Sequence, residues 1–254
     1  MPHIDIRNVV KRFDTADGPV HAFGPATIAV ERGEFVSLVG PSGCGKSTLL
    51  LMIAGLLAPS DGSISVDGRI VAGTRTDVGI MFQDNTLVPW RSVRRNIELQ
   101  LELRGMDPRG SRARIDTLLE TVGLHDFANR APFELSGGMQ QRAAFCQAMV
   151  HEPDTVLLDE PLGKLDAMTR EKIRADLQRL WLQTRTTVLL VTHSIEEAVQ
   201  LSSKVCIITP RPGRLDGVIE INLPWPRDIT VKRSPEFAAY VSEIGDVFHR
   251  YGEI

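Results

Sequence analysis

Hydrophobic and polar positions alternate loosely over residues 3–10, the period-two pattern of a half-buried strand. Asp14 to Pro19 is a turn-rich break. Ala26–Val30 and Glu34–Val39 read as two further strands joined at Arg32-Gly33. A glycine-rich stretch, Gly40 to Gly45, precedes a predicted helix over Lys46–Leu57. Pro59-Ser60-Asp61-Gly62 ends that helix, and Ser63–Asp67 and Val78–Gln83 look like strands. Near Arg91 the period changes to helical. Ser92–Leu103, Arg109–Val122 and Ser136–His151 carry it, with an irregular approach at Pro132-Phe133-Glu134-Leu135. Strand and helix then alternate: Thr155–Leu158, helix Thr169–Gln183, strand Thr187–Val191, helix Ile195–Ser202. Val205–Thr209 and Gly217–Leu223 pair across a Pro-Gly turn. Finally Phe237, Tyr240, Val241, Ile244, Val247, Phe248 and Tyr251 share one helical face that needs a cover. Such alternation predicts an α/β fold with a mostly parallel sheet, and residues 90–153 read as a helical insertion.

Composition narrows the function. The 254 residues are 43% hydrophobic and 24% charged with net charge −3. That suits a globular chain and argues against a nucleic-acid binder working by bulk positive charge. Cys44, Cys146 and Cys206 form no CxxC pair, which suggests neither a zinc site nor a disulfide framework and fits a reducing compartment. The N-terminus lacks the basic start and apolar run of a signal peptide. The most apolar run, Leu49–Ala58, is about half a membrane span. The chain is therefore expected to reach a membrane only through a partner.

Two segments carry chemistry. Gly40-Pro41-Ser42-Gly43-Cys44-Gly45-Lys46-Ser47-Thr48 fits GxxxxGK[ST], placed after an apolar strand and at the start of a helix. Glycines there let backbone N–H groups converge on phosphate oxygens, with Lys46 suited to the β- and γ-phosphates and Ser47 to Mg²⁺. Cys44 reads as a filler, although a helix N-terminus also favours a thiolate. Thr155–Leu158 is an apolar run ending in Asp159 and Glu160. In this setting Asp159 would hold Mg²⁺ through water, and Glu160 would orient or deprotonate an attacking water.

Leu135-Ser136-Gly137-Gly138-Met139-Gln140-Gln141-Arg142 closely resembles the signature motif of ABC-type ATPases. Alone it is also a good helix cap, with Ser136 at the N-cap. The resemblance covers essentially the whole chain. It implies a P-loop NTPase (RecA-like) core with an N-terminal antiparallel β subdomain over residues 1–89 and 154–254, and a helical signature subdomain over 90–153. It also implies a head-to-tail dimer, of this chain or with a close paralogue, in which Ser136, Gly137, Gly138 and Gln140 complete the partner's ATP site. The matching positions are Gln83 for the Mg²⁺-touching Q-loop glutamine, His193 for the switch histidine at the γ-phosphate, Asp166 for the D-loop, and Phe13, aided by Val20, for the adenine platform. Phe stands where Tyr is commoner, and core burial is its competing reading. Lys164 departs from the small residue usual in the D-loop.

Phe82-Gln83-Asp84-Asn85-Thr86-Leu87-Val88-Pro89-Trp90-Arg91-Ser92-Val93, Leu158-Asp159-Glu160-Pro161, and the tail Arg211-Pro212-Gly213-Arg214 with Leu223-Pro224-Trp225-Pro226-Arg227 resemble the nitrate/sulfonate/taurine importer branch. This implies a peripheral subunit on the cytoplasmic face of the membrane, two permease subunits contacted through Pro89 and Trp90, an external solute-binding protein and no nucleic acid. Trp90 has burial in the helical block as its other reading. Nitrate, alkanesulfonates, taurine and thiamine-precursor pyrimidines all remain open as solutes. A soluble, non-transport ABC ATPase is the alternative, set against by the lack of long coiled-coil or zinc insertions.

Overall fold

The computed structural model describes residues 1–84, 86–163 and 165–252; Lys164 of the D-loop motif lies outside the described residues. Two compact units divide the chain, residues 1–75 with 185–254, and residues 76–184. The first unit opens with β1 (Ile4–Thr15), β2 (Gly18–Val30), β3 (Phe35–Val39), α1 (Lys46–Ile53), β4 (Asp61–Val66) and β5 (Arg69–Ile70). The second holds β6 (Val78–Met81), α2 (Val93–Glu102), α3 (Arg112–Thr121), α4 (Gly137–Met149), β7 (Thr155–Asp159) and α5 (Ala167–Thr184). The chain returns to the first unit with β8 (Thr187–Thr192), α6 (Ile195–Leu201), β9 (Lys204–Ile208), β10 (Leu215–Glu220), α7 (Ile229–Lys232) and α8 (Pro235–Arg250).

In the first unit β2-β1-β4-β5 form an antiparallel sheet. The expected break at 14–19 is only the tight turn of one long β1–β2 hairpin, closed by the Thr15 hydroxyl donating to the Gly18 carbonyl at 2.6 Å. A second layer runs β10-β9-β3-β8, with β3 parallel to both β8 and β9. β3 and β8 are buried at every position, so their unbroken apolar runs are what a covered parallel sheet requires. α1 stops at Ile53, four residues short of the sequence expectation. The Gly55 N–H bonds the Met52 carbonyl and the Leu56 N–H bonds that of Leu51, a glycine-closed helix end.

α8 covers the first unit as its apolar stripe demanded. Phe237, Ile244 and Phe248 pack with Val39, Val199, Val205 and Ile207. Arg227 fixes the segment leading to that helix. Its guanidinium is buried (1% exposed) yet donates to Val199 and Ser202 carbonyls at 2.7 and 2.6 Å, and to those of Ile221 and Leu223 at 2.9 and 3.2 Å. The Trp225 ring lies 3.9 Å from its carbon. Carbonyls at the end of α6 lack helical partners and carry partial negative charge, so a planar five-donor cation suits them. Burial draws the Arg227 pKa down to about 10, still charged at neutral pH.

In the second unit β6 and β7 pair in parallel, Val78 with Thr155 through Met81 with Leu158. α2 and α3 pack on α4, burying Val93, Ile97, Leu101, Ile115, Leu119 and Cys146.

Two outcomes are expected. Arg227→Ala leaves several buried carbonyls without a donor and should lower stability by about 3 kcal/mol or more, read as a shifted urea midpoint. Arg227→Lys should not restore it, since an ammonium cannot span four carbonyls. All three cysteines are buried, and desolvation pushes Cys146 and Cys206 up to about 12. A thiol-specific disulfide reagent near neutral pH should therefore label none of them in the folded chain within minutes, and all three in denaturant.

Candidate functional site

The phosphate-type loop leaves the buried end of β3 at Gly40 and enters α1 at Lys46. Gly45 has φ +96°, and a Cβ there would stand 2.4 Å from the Ala22 carbonyl oxygen, so the loop turns only because this residue is glycine. Lys46 is buried. Its Nζ donates to the Gly40 and Pro41 carbonyls at 2.8 and 2.7 Å and lies 3.7 Å from Cys44 Sγ. Ser42, Gly43 and Ser47 are exposed around it, and Pro41 and Thr48 are half-buried. Burial raises the Cys44 pKa against the opposing pull of Lys46, which keeps this residue a thiol and favours its reading as a filler. The donors offered here are an ammonium, two hydroxyls, and the N–H groups of the first turn of α1, which lack helical partners. That set fits a polyanionic phosphate chain.

Phe13 and Val20 are direct cross-strand partners in the β1–β2 hairpin and both are exposed. An aromatic and a branched residue thus share one solvent-facing surface, with Lys11 Nζ 5.0 Å from the Phe13 ring. This excludes burial of Phe13 in the core. Further along β2, Phe23 abuts Gly45, its Cβ lying 3.0 Å from where a Gly45 Cβ would stand. Three residues of strand separate Val20 from Phe23, about 10 Å. The hairpin therefore links an exposed apolar platform to the loop through one short stretch of β2.

His193 is exposed between β8 and α6. Its neighbours are pinned. The Thr192 hydroxyl accepts from the Ser194 N–H at 3.0 Å and bonds the buried Glu197 carboxylate, while Ser194 caps α6. The backbone around the imidazole is thereby fixed while the ring faces solvent.

In the second unit Asp159 is the last residue of β7 and half-buried. Glu160 follows with φ +45°, a left-handed backbone rarely adopted by a residue with a side chain. A turn closes behind it, the Gly163 N–H donating to its carbonyl at 3.2 Å. Because β6 and β7 run parallel in register, Gln83 emerges beside Glu160, and its Nε2 donates to Glu160 Oε2 at 3.2 Å. Residues 77 apart in sequence are thus brought into contact. Holding a carboxylate at a strained position costs about 1–3 kcal/mol, a cost that clusters at functional sites. Among the described residues no group of three or more His, Cys, Asp or Glu side chains is placed to hold a metal. The Ser47 hydroxyl in the first unit and, separately, the Gln83 and Asp159 side chains in the second are oxygen donors of the kind taken by a hard cation such as Mg²⁺.

Ser136 caps α4, its hydroxyl accepting from the Met139 N–H at 3.4 Å. Gly138 is buried, and a Cβ there would meet Thr169 Cγ2 at 2.4 Å. Gly137 is exposed, with open space where its Cβ would be. Among the described residues, packing does not require its missing side chain. Gln140 Nε2 donates to the Pro132 carbonyl at 2.7 Å and so steadies the approach to α4. Asp166 accepts from the Met168 and Thr169 N–H groups at 3.1 and 3.0 Å, capping α5; the bond to Thr169 lowers its pKa.

Trp90 is 83% exposed and Pro89 is exposed too, which excludes the core reading of Trp90. Their loop is built from within. Asn96, fully buried on α2, accepts from the Val88 N–H at 2.6 Å and donates to the Val88, Arg91 and Ser92 carbonyls at 3.1, 3.0 and 3.0 Å. Sequence reading passed over Asn96 and Glu197. Asn96 did leave a signal, as a polar residue on the core-facing side of a helix between Val93 and Ile97.

Comparison with known proteins follows the same line. Residues 23–163 match the ABC transporter family. The chain is 42% identical over 251 residues to the taurine import ATP-binding protein TauB of Jannaschia sp. (strain CCS1), covering 96% of this chain and 93% of the relative. It superposes with TM-score 0.76 and 31% identity on a dimeric post-hydrolysis state of the ATP-binding cassette MJ0796 bound to ADP and Pi, covering 87% of this chain and 100% of that one. CbiO1 of Clostridium perfringens, part of the ABC transporter complex cbiONQ, gives TM-score 0.77 at 25% identity over 100% of this chain and 99% of its own. A glycine-built phosphate loop, a strained Glu160 beside Gln83 and a capped Ser-Gly-Gly turn on this α/β scaffold agree with that likeness, and the chain belongs to the ABC transporter family.

Proposed function

We propose that the chain is the ATP-hydrolysing subunit of an ABC importer. The observation that carries hydrolysis is the Glu160 carboxylate, held by Gln83 at 3.2 Å directly after Asp159. Residues 40–48 bind the phosphates, Lys46 exchanging its bonds to Gly40 and Pro41 for phosphate oxygens. Phe13 and Val20 seat the adenine, a role their shared exposed surface supports. Ser47, Gln83 and Asp159 would hold Mg²⁺, which when bound neutralises charge on the β- and γ-oxygens. Glu160 accepts a proton from water as its oxygen attacks the γ-phosphorus and the bond to the β-phosphate oxygen breaks, giving ADP and phosphate. His193 contacts the γ-phosphate from its pinned loop.

A second copy supplies Ser136, Gly137, Gly138 and Gln140 to each ATP. The exposed Gly137, with open space around it, supports a close approach from outside the chain. Asp166 lies on the same dimer seam. Pro89 and Trp90 form the contact to the permease, since a large exposed aromatic on a rigid loop is what interfaces use. Two permease subunits and an external solute-binding protein complete the assembly. Attachment is peripheral, at the cytoplasmic face, as expected of an importer's ATP-binding subunit; among the described residues no helix is long and apolar enough to cross a membrane. The relative's taurine import, with the branch-specific segments around Trp90 and Arg227, supports a small sulfonate or nitrate-like solute.

Glu160→Gln keeps the shape of the side chain and removes the base. Turnover should fall more than about a hundredfold, and the variant should form an ATP-dependent dimer by light scattering; turnover equal to wild type would sink the assignment. Trp90→Ala should reduce recovery with co-expressed permease by about tenfold. Its melting temperature should stay within about 2 °C, because a side chain this exposed adds little to the fold.

A further inference from the structure

The turn between β9 and β10, residues 209–214, leans on the phosphate loop. Arg211 Nε donates to the Gly43 carbonyl at 2.6 Å. Gly213 approaches so closely that a Cβ there would stand 1.9 Å from the Cys44 carbonyl oxygen. The same turn is anchored on β2, the Gly24 N–H donating to the Gly213 carbonyl at 2.7 Å. It is closed internally by the Thr209 N–H on the Arg214 carbonyl at 2.9 Å and the Arg214 N–H on the Thr209 hydroxyl at 3.0 Å. A stiff bracket thus ends in a guanidinium that grips one carbonyl of the loop.

That carbonyl matters because of where it sits. In a planar trans peptide the carbonyl and the following N–H point in opposite directions. Holding the Gly43 oxygen toward Arg211 aims the Cys44 N–H away from Arg211. Gly43 has φ +75° and no side chain, so by itself it lets this peptide turn over at little steric cost. An N–H group that must be aligned on binding costs affinity, and one already aligned does not.

We propose that Arg211 is a positioning residue for nucleotide binding, holding the Gly43–Cys44 peptide so that the Cys44 N–H faces the phosphates. This rests on the reading that residues 40–48 bind ATP. Its effect falls on the affinity for ATP rather than on the chemical step, because Arg211 acts through the loop and not on the attacking water.

The test measures ATP affinity, KM, kcat and melting temperature on the full chain for wild type, Arg211→Ala, Arg211→Lys and Lys46→Ala. Arg211→Ala should weaken ATP binding and raise KM about tenfold, the size of one hydrogen bond from a charged donor. Saturating kcat should change less than about threefold, and Arg211→Lys, which keeps a charged donor, should recover most of the affinity. Lys46→Ala should lose ATP binding regardless. Affinity within about twofold of wild type in Arg211→Ala, with Lys46→Ala defective, overturns the proposal alone, as does a fall in kcat at unchanged KM. Undiminished ATP binding in Lys46→Ala overturns the reading of the loop beneath it. If Arg211→Ala melts far lower, Arg211→Gln decides by the same criterion: an intermediate rise in KM supports the proposal and none overturns it.

Discussion

A buried ammonium must be met by oxygen, and the loop between β3 and α1 meets that of Lys46 from its own backbone. The Gly40 and Pro41 carbonyls, 2.8 and 2.7 Å away, wrap the chain around the cation. The loop is therefore shaped before any ligand arrives. An anionic phosphate oxygen is a stronger acceptor than a carbonyl, so in the proposed role a nucleotide would take over a cation already stripped of water. Much of the desolvation cost of such binding would then be met on folding. Gly45 against Ala22 and the surrounding turns exist to hold this one geometry.

Arg227 presents the same problem with the opposite solution. Its guanidinium is buried like the Lys46 ammonium, but its donors are spread over four carbonyls from two segments of chain, residues 199–202 and 221–223. None of those acceptors can leave without opening the core under α8. Two carbonyls of one loop hold the Lys46 ammonium, whereas the Arg227 guanidinium is enclosed by four. Burial of positive charge is not by itself a mark of function here. The number and placement of its acceptors distinguish the two.

Much of this was legible in the sequence because it depends on backbone conformation that few residues permit. The GxxxxGK[ST] loop, the Ser136 cap and the apolar runs of β3, β7 and β8 all announce themselves by residue type and spacing. What stayed hidden depends on contacts between distant segments. Nothing local says that Trp90 faces solvent, since the Asn96 side chain that directs its loop sits six positions on, among core residues. Nothing in the run from Leu157 to Pro161 says that Glu160 takes a left-handed backbone or meets Gln83. The turn at 14–19 was visible as a break, but not as the tip of one continuous hairpin, because pairing across it is a tertiary fact.

That hairpin has a consequence for how the chain can vary. β2 joins the Val20 side of the exposed platform to the Phe23 contact at Gly45 through a short stretch whose pairing with β1 shifts register between His21 and Phe23, and so works as a ruler with one extra residue built in. Inserting or deleting one residue between them would move the platform by about 3.3 Å and also turn Val20 to the opposite face of the strand. Length here is quantised. Side chains along this stretch can drift with only local effect, whereas a change of length shifts the platform and is better accommodated at the tip, where Ala16 and Asp17 turn in solvent.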